Sequence, residues 1–222
     1  MKQIWRDLLF AHWPVPVEAL RHLVPVALPL DTFDGCAWVT IAPFHMEIRP
    51  RELPALPGMS RIPELNCRTY VTIDGKPGVY FFSLDITSPF AVWAARTFYH
   101  LPYFHAEMQV EKSGDEISYA SQRGNATWRG RYRPVSADAY RASPGTAEYF
   151  LSERYCLYAV HEERVYRGDI HHAPWPLQRA SAEIKENTIA QAAGISLQGP
   201  PALLSFTREI EVLIWWPNKV RL

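Results

Sequence analysis

The stretch Glu64-Leu65-Asn66-Cys67-Arg68-Thr69-Tyr70-Val71-Thr72-Ile73 alternates in character from end to end. Even positions carry Glu64, Asn66, Arg68, Tyr70 and Thr72, and odd positions carry Leu65, Cys67, Thr69, Val71 and Ile73. A period of two places the two sets on opposite faces of an extended strand, one polar and one mainly apolar. Asp74-Gly75-Lys76-Pro77 reads as a turn, and residues 78–84 return as a second strand, giving a hairpin.

Outward from this hairpin the pattern repeats. Residues 106–112, 117–122 and 125–133 form a meander joined by Ser113-Gly114-Asp115 and Arg123-Gly124 turns. Further strands are predicted over 156–162, 165–171 and 177–184, with a long closing strand over 202–216. Helical signals are few. Ser88 caps a helix that begins at Pro89 and runs to residue 99. Shorter helices are predicted over 17–23 and 146–152, with one or two helical turns over 188–193. Residues 50–63 hold four prolines and Gly58, which predicts a loop long enough to act as a functional flap. Nine or ten strands with two or three short helices make a mainly β chain, either a barrel or two packed sheets.

Composition agrees with this class. The chain has 222 residues with 19 Pro, 8 Trp, 11 Tyr and 10 Phe; prolines break long helices and aromatics favour strands. Lys+Arg and Asp+Glu are both 23, so neither a basic nucleic-acid footprint nor a polybasic membrane anchor is expected. Cys36, Cys67 and Cys156 show no metal or redox spacing. No apolar run approaches a membrane span, and no leader is visible before Arg6 and Asp7, so a soluble, cytoplasmic protein is expected. The expectation is a single domain over 1–222.

Three clusters could carry chemistry. Glu64, Asn66, Arg68 and Tyr70 share one strand face and could hold a carboxylate or carbonyl, with Arg68 as anchor. A solvated face with cross-strand pairs to Arg129 or Arg131 is the other reading. His100, Pro102, Tyr103 and His105 follow the helix; the histidines could act as acid and base, or pack at a helix-to-strand turn. No carboxylate stands at metal-ligand spacing beside them, so no metal is expected. Asp169, His171 and His172 read as polar surface near Pro174-Trp175-Pro176. The chain lacks a nucleophile elbow, a zincin motif, a phosphate loop and a dinucleotide fingerprint.

The segment Val17-Glu-Ala-Leu-Arg-His-Leu-Val-Pro25-Val-Ala-Leu-Pro-Leu-Asp31 resembles the start of acetoacetate decarboxylases. With Glu64-Leu-Asn-Cys-Arg-Thr-Tyr-Val, Gly78-Val-Tyr-Phe-Phe-Ser-Leu-Asp85 and the helix through Arg96, it is similar to a nearer group. This is the YqjF-like family of unknown function in the acetoacetate decarboxylase-like superfamily. The resemblance implies a closed, antiparallel, cone-like barrel with a central pocket, often in an oligomer. In the decarboxylases the Arg-bearing helix is followed by Pro and then by two lysines, the first of which forms a Schiff base in a desolvated pocket. Matching Arg96 and Pro102 places Tyr103 and Phe104 at those positions, and neither forms an imine. The chain has only five lysines, Lys2, Lys76, Lys112, Lys185 and Lys219, none at that position.

The expected function is therefore a cofactor-free pocket for a small organic acid or carbonyl compound, with Glu64, Asn66, Arg68, Tyr70 and Tyr103 as ligand contacts. A lyase or hydratase using Tyr103, His100 or His105 as acid and base is the alternative, as is a non-catalytic sensor or structural protein. A homo-oligomer is the expected assembly.

Overall fold

A computed structural model describes residues 1–49 and 61–220, with thirteen strands and four short helices. The loop expected at 50–63 falls largely outside them, but Pro63 is already in a strand. The chain runs β1 (Lys2–Val15), α1 (Val17–Arg21), β2 (Ala37–Arg49), β3 (Ile62–Ile73), β4 (Lys76–Ile86), α2 (Pro89–Tyr99), β5 (Tyr103–His105), β6 (Glu107–Ser113), β7 (Glu116–Arg123) and β8 (Ala126–Pro134). It continues with α3 (Ala147–Ser152), β9 (Cys156–His161), β10 (Arg164–His172), β11 (Gln178–Asn187), α4 (Ile189–Ala192), β12 (Leu203–Ile214) and β13 (Asn218–Lys219).

The pairing order β10–β9–β4–β3–β2–β1–β12 returns to its start, because β12 also pairs with β10, Ile214 opposite Ile170. Seven strands thus form a closed ring of hydrogen-bonded pairs. All its pairs are antiparallel except β4–β9, where Val79 lies beside Leu157 and Tyr80 beside Tyr158. Parallel partners need a long connection, and α2, the meander and α3 lie between these two strands. A second sheet, β11–β8–β7–β6, joins the ring where Gln178 pairs with Phe206 of β12.

The two sheets share a core. Leu9, Ala11, Ile41, Leu65 and Cys67 face out of the ring and meet Tyr119, Trp128 and Tyr132 of the second sheet. The alternate residues Leu8, Phe10, Ala42 and Phe44 pack with Trp175, Leu177 and Val212 on the other face. β1 is consequently apolar on both faces, which is why it shows no alternation. It also carries a register shift after Arg6, with Asp7 at φ 51. Pro43 sits inside β2 opposite Leu65, a residue that ordinarily argues against an interior strand. These features account for two strands beyond those read from the sequence; β5 and β13, of three and two residues, account for the others.

α2 begins as its sequence predicts: Ser88 Oγ accepts from the Ala91 amide at 3.3 Å, and Pro89 takes the first position. It ends at His100, whose φ of 55 turns the chain. Arg96 Nε then donates to the Tyr103 carbonyl at 2.6 Å, and the Leu84 amide donates to the Pro102 carbonyl, which holds β5 parallel to the end of β4. This local lock delivers Tyr103 to the site.

Candidate functional site

A cavity of about 460 Å³ lies between the β3–β4 part of the ring and α2. Glu64, Asn66 and Arg68 line it from β3, and Tyr103 lines it from β5. The polar face of β3 is enclosed, since all three side chains are buried. Arg129 and Arg131, the partners a solvated face would have used, pair instead with Glu186, Glu116 and Glu183 on the second sheet.

Tyr103 donates its hydroxyl proton to Glu64 Oε2 at 2.9 Å, and Asn66 Nδ2 donates to Glu64 Oε1 at 3.5 Å. Burial pushes the Glu64 carboxyl up to about 7, with Asp85 adding to the rise. The hydrogen bonds from Tyr103 and Asn66 and the Arg68 charge pull the other way. Burial, with Glu64 beside it, holds the Tyr103 phenol well above its ordinary range. Asn66 Oδ1 is buried without a hydrogen-bond partner among the described residues.

Arg68 is the unusual residue. It is 6% exposed, lines the cavity, and forms no ion pair or hydrogen bond to a described side chain; its buried Nε is unpartnered. Its guanidinium carbon lies 5.0 Å from the centre of the Phe10 ring and 6.0 Å from that of Tyr70. Such stacking offsets only part of the cost of desolvating a cation.

Tyr70 shares the β3 face but does not line the cavity. Its hydroxyl bonds Thr40 Oγ1 at 2.6 Å, and Thr40 Oγ1 is 2.7 Å from His12 Nδ1. Thr40 is opposite both His12 and Arg68 in the ladders, so these residues form one row across three strands. Burial, then the Arg68 charge, pulls the His12 pKa well below the ordinary value, leaving a neutral imidazole. His12 and Thr40 carried no sequence signal, because only strand pairing places them beside Arg68.

The structure does not bring the two candidate histidines to this cavity. His100 stacks on His161 with ring centres 4.2 Å apart and lines a separate surface pocket. His105 is exposed on β5. Asp169 pairs with Arg167 at 2.9 Å, His171 is exposed, and His172 is buried against Tyr155 and Trp175. None of the five lysines lines the cavity; Lys2 pairs with Glu211 and Lys112 with Asp7. Among the described residues no group of three His, Cys, Asp or Glu is placed to hold a metal, and no helix is long and apolar enough to cross a membrane.

Known proteins resemble the chain at two levels. The model of the DUF2071 family, described as an uncharacterized conserved protein, matches residues 2–211. The uncharacterized protein YqjF of Bacillus subtilis (strain 168) is 51% identical over 219 residues, covering 97% of this chain and 90% of that protein. Among solved structures, the enduracididine biosynthesis enzyme MppR complexed with pyruvate superposes with a TM-score of 0.69 at 10% identity, covering 98% of this chain and 89% of that one. An acetoacetate decarboxylase from Legionella pneumophila gives 0.63 at 12% identity, covering 99% and 87%. At such identities the structural likeness concerns the fold. The chain belongs to the DUF2071 family of uncharacterized conserved proteins and has an acetoacetate decarboxylase-like, mostly β fold.

Proposed function

We propose that this protein binds a small organic acid or carbonyl compound in the cavity beside β3, with the ligand's carboxylate on Arg68. The buried, unpaired guanidinium carries this reading. A protein interior does not keep a lone cation without cost, and a planar fork of donors suits a carboxylate. Asn66 Oδ1 offers a free acceptor beside it, and the Glu64–Tyr103 pair orients a ligand carbonyl or hydroxyl. MppR, which shares the fold, has been solved complexed with pyruvate, so a small acid is a ligand this fold can take. An imine mechanism is not part of the proposal, because the cavity has no lysine.

A second reading is favoured by one observation. A carboxyl poised near 7 and hydrogen-bonded to a phenol is placed to exchange protons with a bound substrate at neutral pH. In that version Glu64 is the acid or base and Tyr103 a donor to a ligand oxygen, a lyase or hydratase type of chemistry.

Thermal melts of the wild type and Arg68→Lys, each with a panel of carboxylates and their neutral amides, test the proposal. Carboxylates should raise the wild-type melting temperature and amides should not. The lysine variant should melt close to the wild type without ligand, yet lose roughly tenfold or more in carboxylate affinity. A wild type unmoved by every carboxylate would sink the assignment.

A further inference from the structure

The same cavity also specifies what kind of acid it takes, an inference that rests on Arg68 as the carboxylate anchor. Its volume of about 460 Å³ lies in the range of roughly 300–1,000 Å³ that encloses drug-sized ligands. An acid the size of acetate or pyruvate on Arg68 would leave most of it empty.

Its polarity is one-sided. Most of the polar groups, Glu64, Asn66, Arg68 and Tyr103, lie on β3 and β5 and Gln3 adds one from β1, whereas Trp5, Met46, Ile86, Leu157 and Ile214 supply apolar walls. α2 has no fully buried residue, and Ala91, Ala94 and Ala95 on it line the space with small side chains.

The cavity also has a direction. Gln3 and Ile48, paired on β1 and β2, line it at the end of the ladder that holds Glu64. Arg68 lies four residues further along β3, a step of about 13 Å. Beyond Arg68 the space is filled by Tyr70, which is fully buried. The cavity reaches the surface along α2, where Phe90 and Trp216 line it yet are 66% and 63% exposed. Trp216 stacks on Tyr99 at 5.0 Å and meets Phe98 edge-on, and Trp93 links Phe98 to Phe90, so these residues form a connected aromatic patch. Exposed apolar surface of this extent marks a place where apolar matter enters or docks.

We propose that the occupant is an amphipathic monocarboxylate of medium chain length, its head on Arg68 and its apolar tail against the alanines of α2, within the apolar part of the cavity that Phe90, Phe98 and Trp216 border. The alanines of α2 leave a smooth wall for a methylene chain.

Tryptophans 5 and 216 line the cavity, so intrinsic fluorescence can report filling. Straight-chain carboxylates from butanoate to decanoate, and decanol as the uncharged homologue, are titrated into the wild type, Arg68→Gln and Ala95→Trp. Each added methylene should tighten wild-type binding about fourfold until the apolar part of the cavity is filled. Arg68→Gln should weaken decanoate at least tenfold and leave decanol unchanged, while Ala95→Trp should weaken decanoate and spare butanoate. If butanoate binds as tightly as decanoate and both depend on Arg68, the carboxylate site stands and the medium-chain occupant is overturned. If decanol matches decanoate and Arg68→Gln changes neither, the anion anchor itself falls. Absence of binding by the whole series overturns both.

Discussion

Arg68 shows how a single residue can be costly to the fold and still define the site. Its guanidinium is buried with aromatic neighbours and no carboxylate partner among the described residues. Removing this buried cation relieves desolvation that the Phe10 and Tyr70 rings and the nearby Glu64 repay only in part. Arg68→Met should therefore leave stability unchanged or raise it by about 1–3 kcal/mol in denaturant melts, while abolishing response to carboxylates. A loss of several kcal/mol would instead make Arg68 part of the scaffold. Glu64 gives a pH signature. Its carboxyl holds a proton up to about 7 in the folded protein, against an ordinary value of 4.5. The native state thus binds that proton more tightly than the unfolded chain does. The resulting stabilisation is complete below pH 4.5 and fades as pH rises through 7, amounting to about 3 kcal/mol. Glu64→Gln removes this dependence. The stability of the variant relative to the wild type should grow between pH 4.5 and 7 and then level off; a pH-independent difference would show that burial does not govern this carboxyl.

Among the elements, the β4–β9 seam is the most constrained. It is the one parallel contact in the ring, and Gly78 stands in it with no room for a side chain. A Cβ there would lie 2.7 Å from Cys156 Sγ and 2.8 Å from the Cys156 carbonyl oxygen. Backbone cannot yield as a flexible side chain would, so the strands would have to separate. Gly78→Ala should cost on the order of 1–3 kcal/mol, with faster amide exchange in β9 than in the antiparallel β1–β2 pair. Equal protection of both pairs in the variant would show that the seam tolerates the methyl group. The element that brings Tyr103 to Glu64 is also short-range: the turn at His100, the Arg96 bond to the Tyr103 carbonyl and three residues of β5.

At the level of the whole molecule, the ring and the second sheet stabilise one another through an aromatic layer. Trp128 is fully buried between them, edge-on to Tyr119 and Tyr132. Tyr119 donates to the Glu64 carbonyl at 2.8 Å, and Tyr132 donates to the Asp7 carbonyl at 2.9 Å. The strand that presents Glu64 is therefore held from behind by the second sheet. Trp128→Ala should cost about 3–5 kcal/mol, and the carboxylate response should weaken along with stability. Retention of full carboxylate affinity by a strongly destabilised Trp128→Ala would show that the ring positions the site unaided.

Where a residue's environment follows from its own strand, the sequence was informative. The alternation of β3, the Ser88-Pro89 start of α2 and the turns of the meander are local signals, set by backbone geometry and side-chain period, and the folded chain keeps them. The polar character of one β3 face was legible in the same way, but its enclosure was not, because period two names two faces without saying what covers either. β1 and β2 escaped notice because burial on both sides erases alternation and Pro43 imitates a break. His12, Thr40 and Arg68 are far apart in the chain and share a row only through the β1–β2–β3 register. His100 and His105 are near Tyr103 in sequence, yet the left-handed turn at His100 and the pleat of β5 aim them elsewhere. Sequence spacing sets periodicity, caps and turns; long-range pairing and burial alone decide which polar groups share an enclosed space, since those contacts join residues that local geometry never relates.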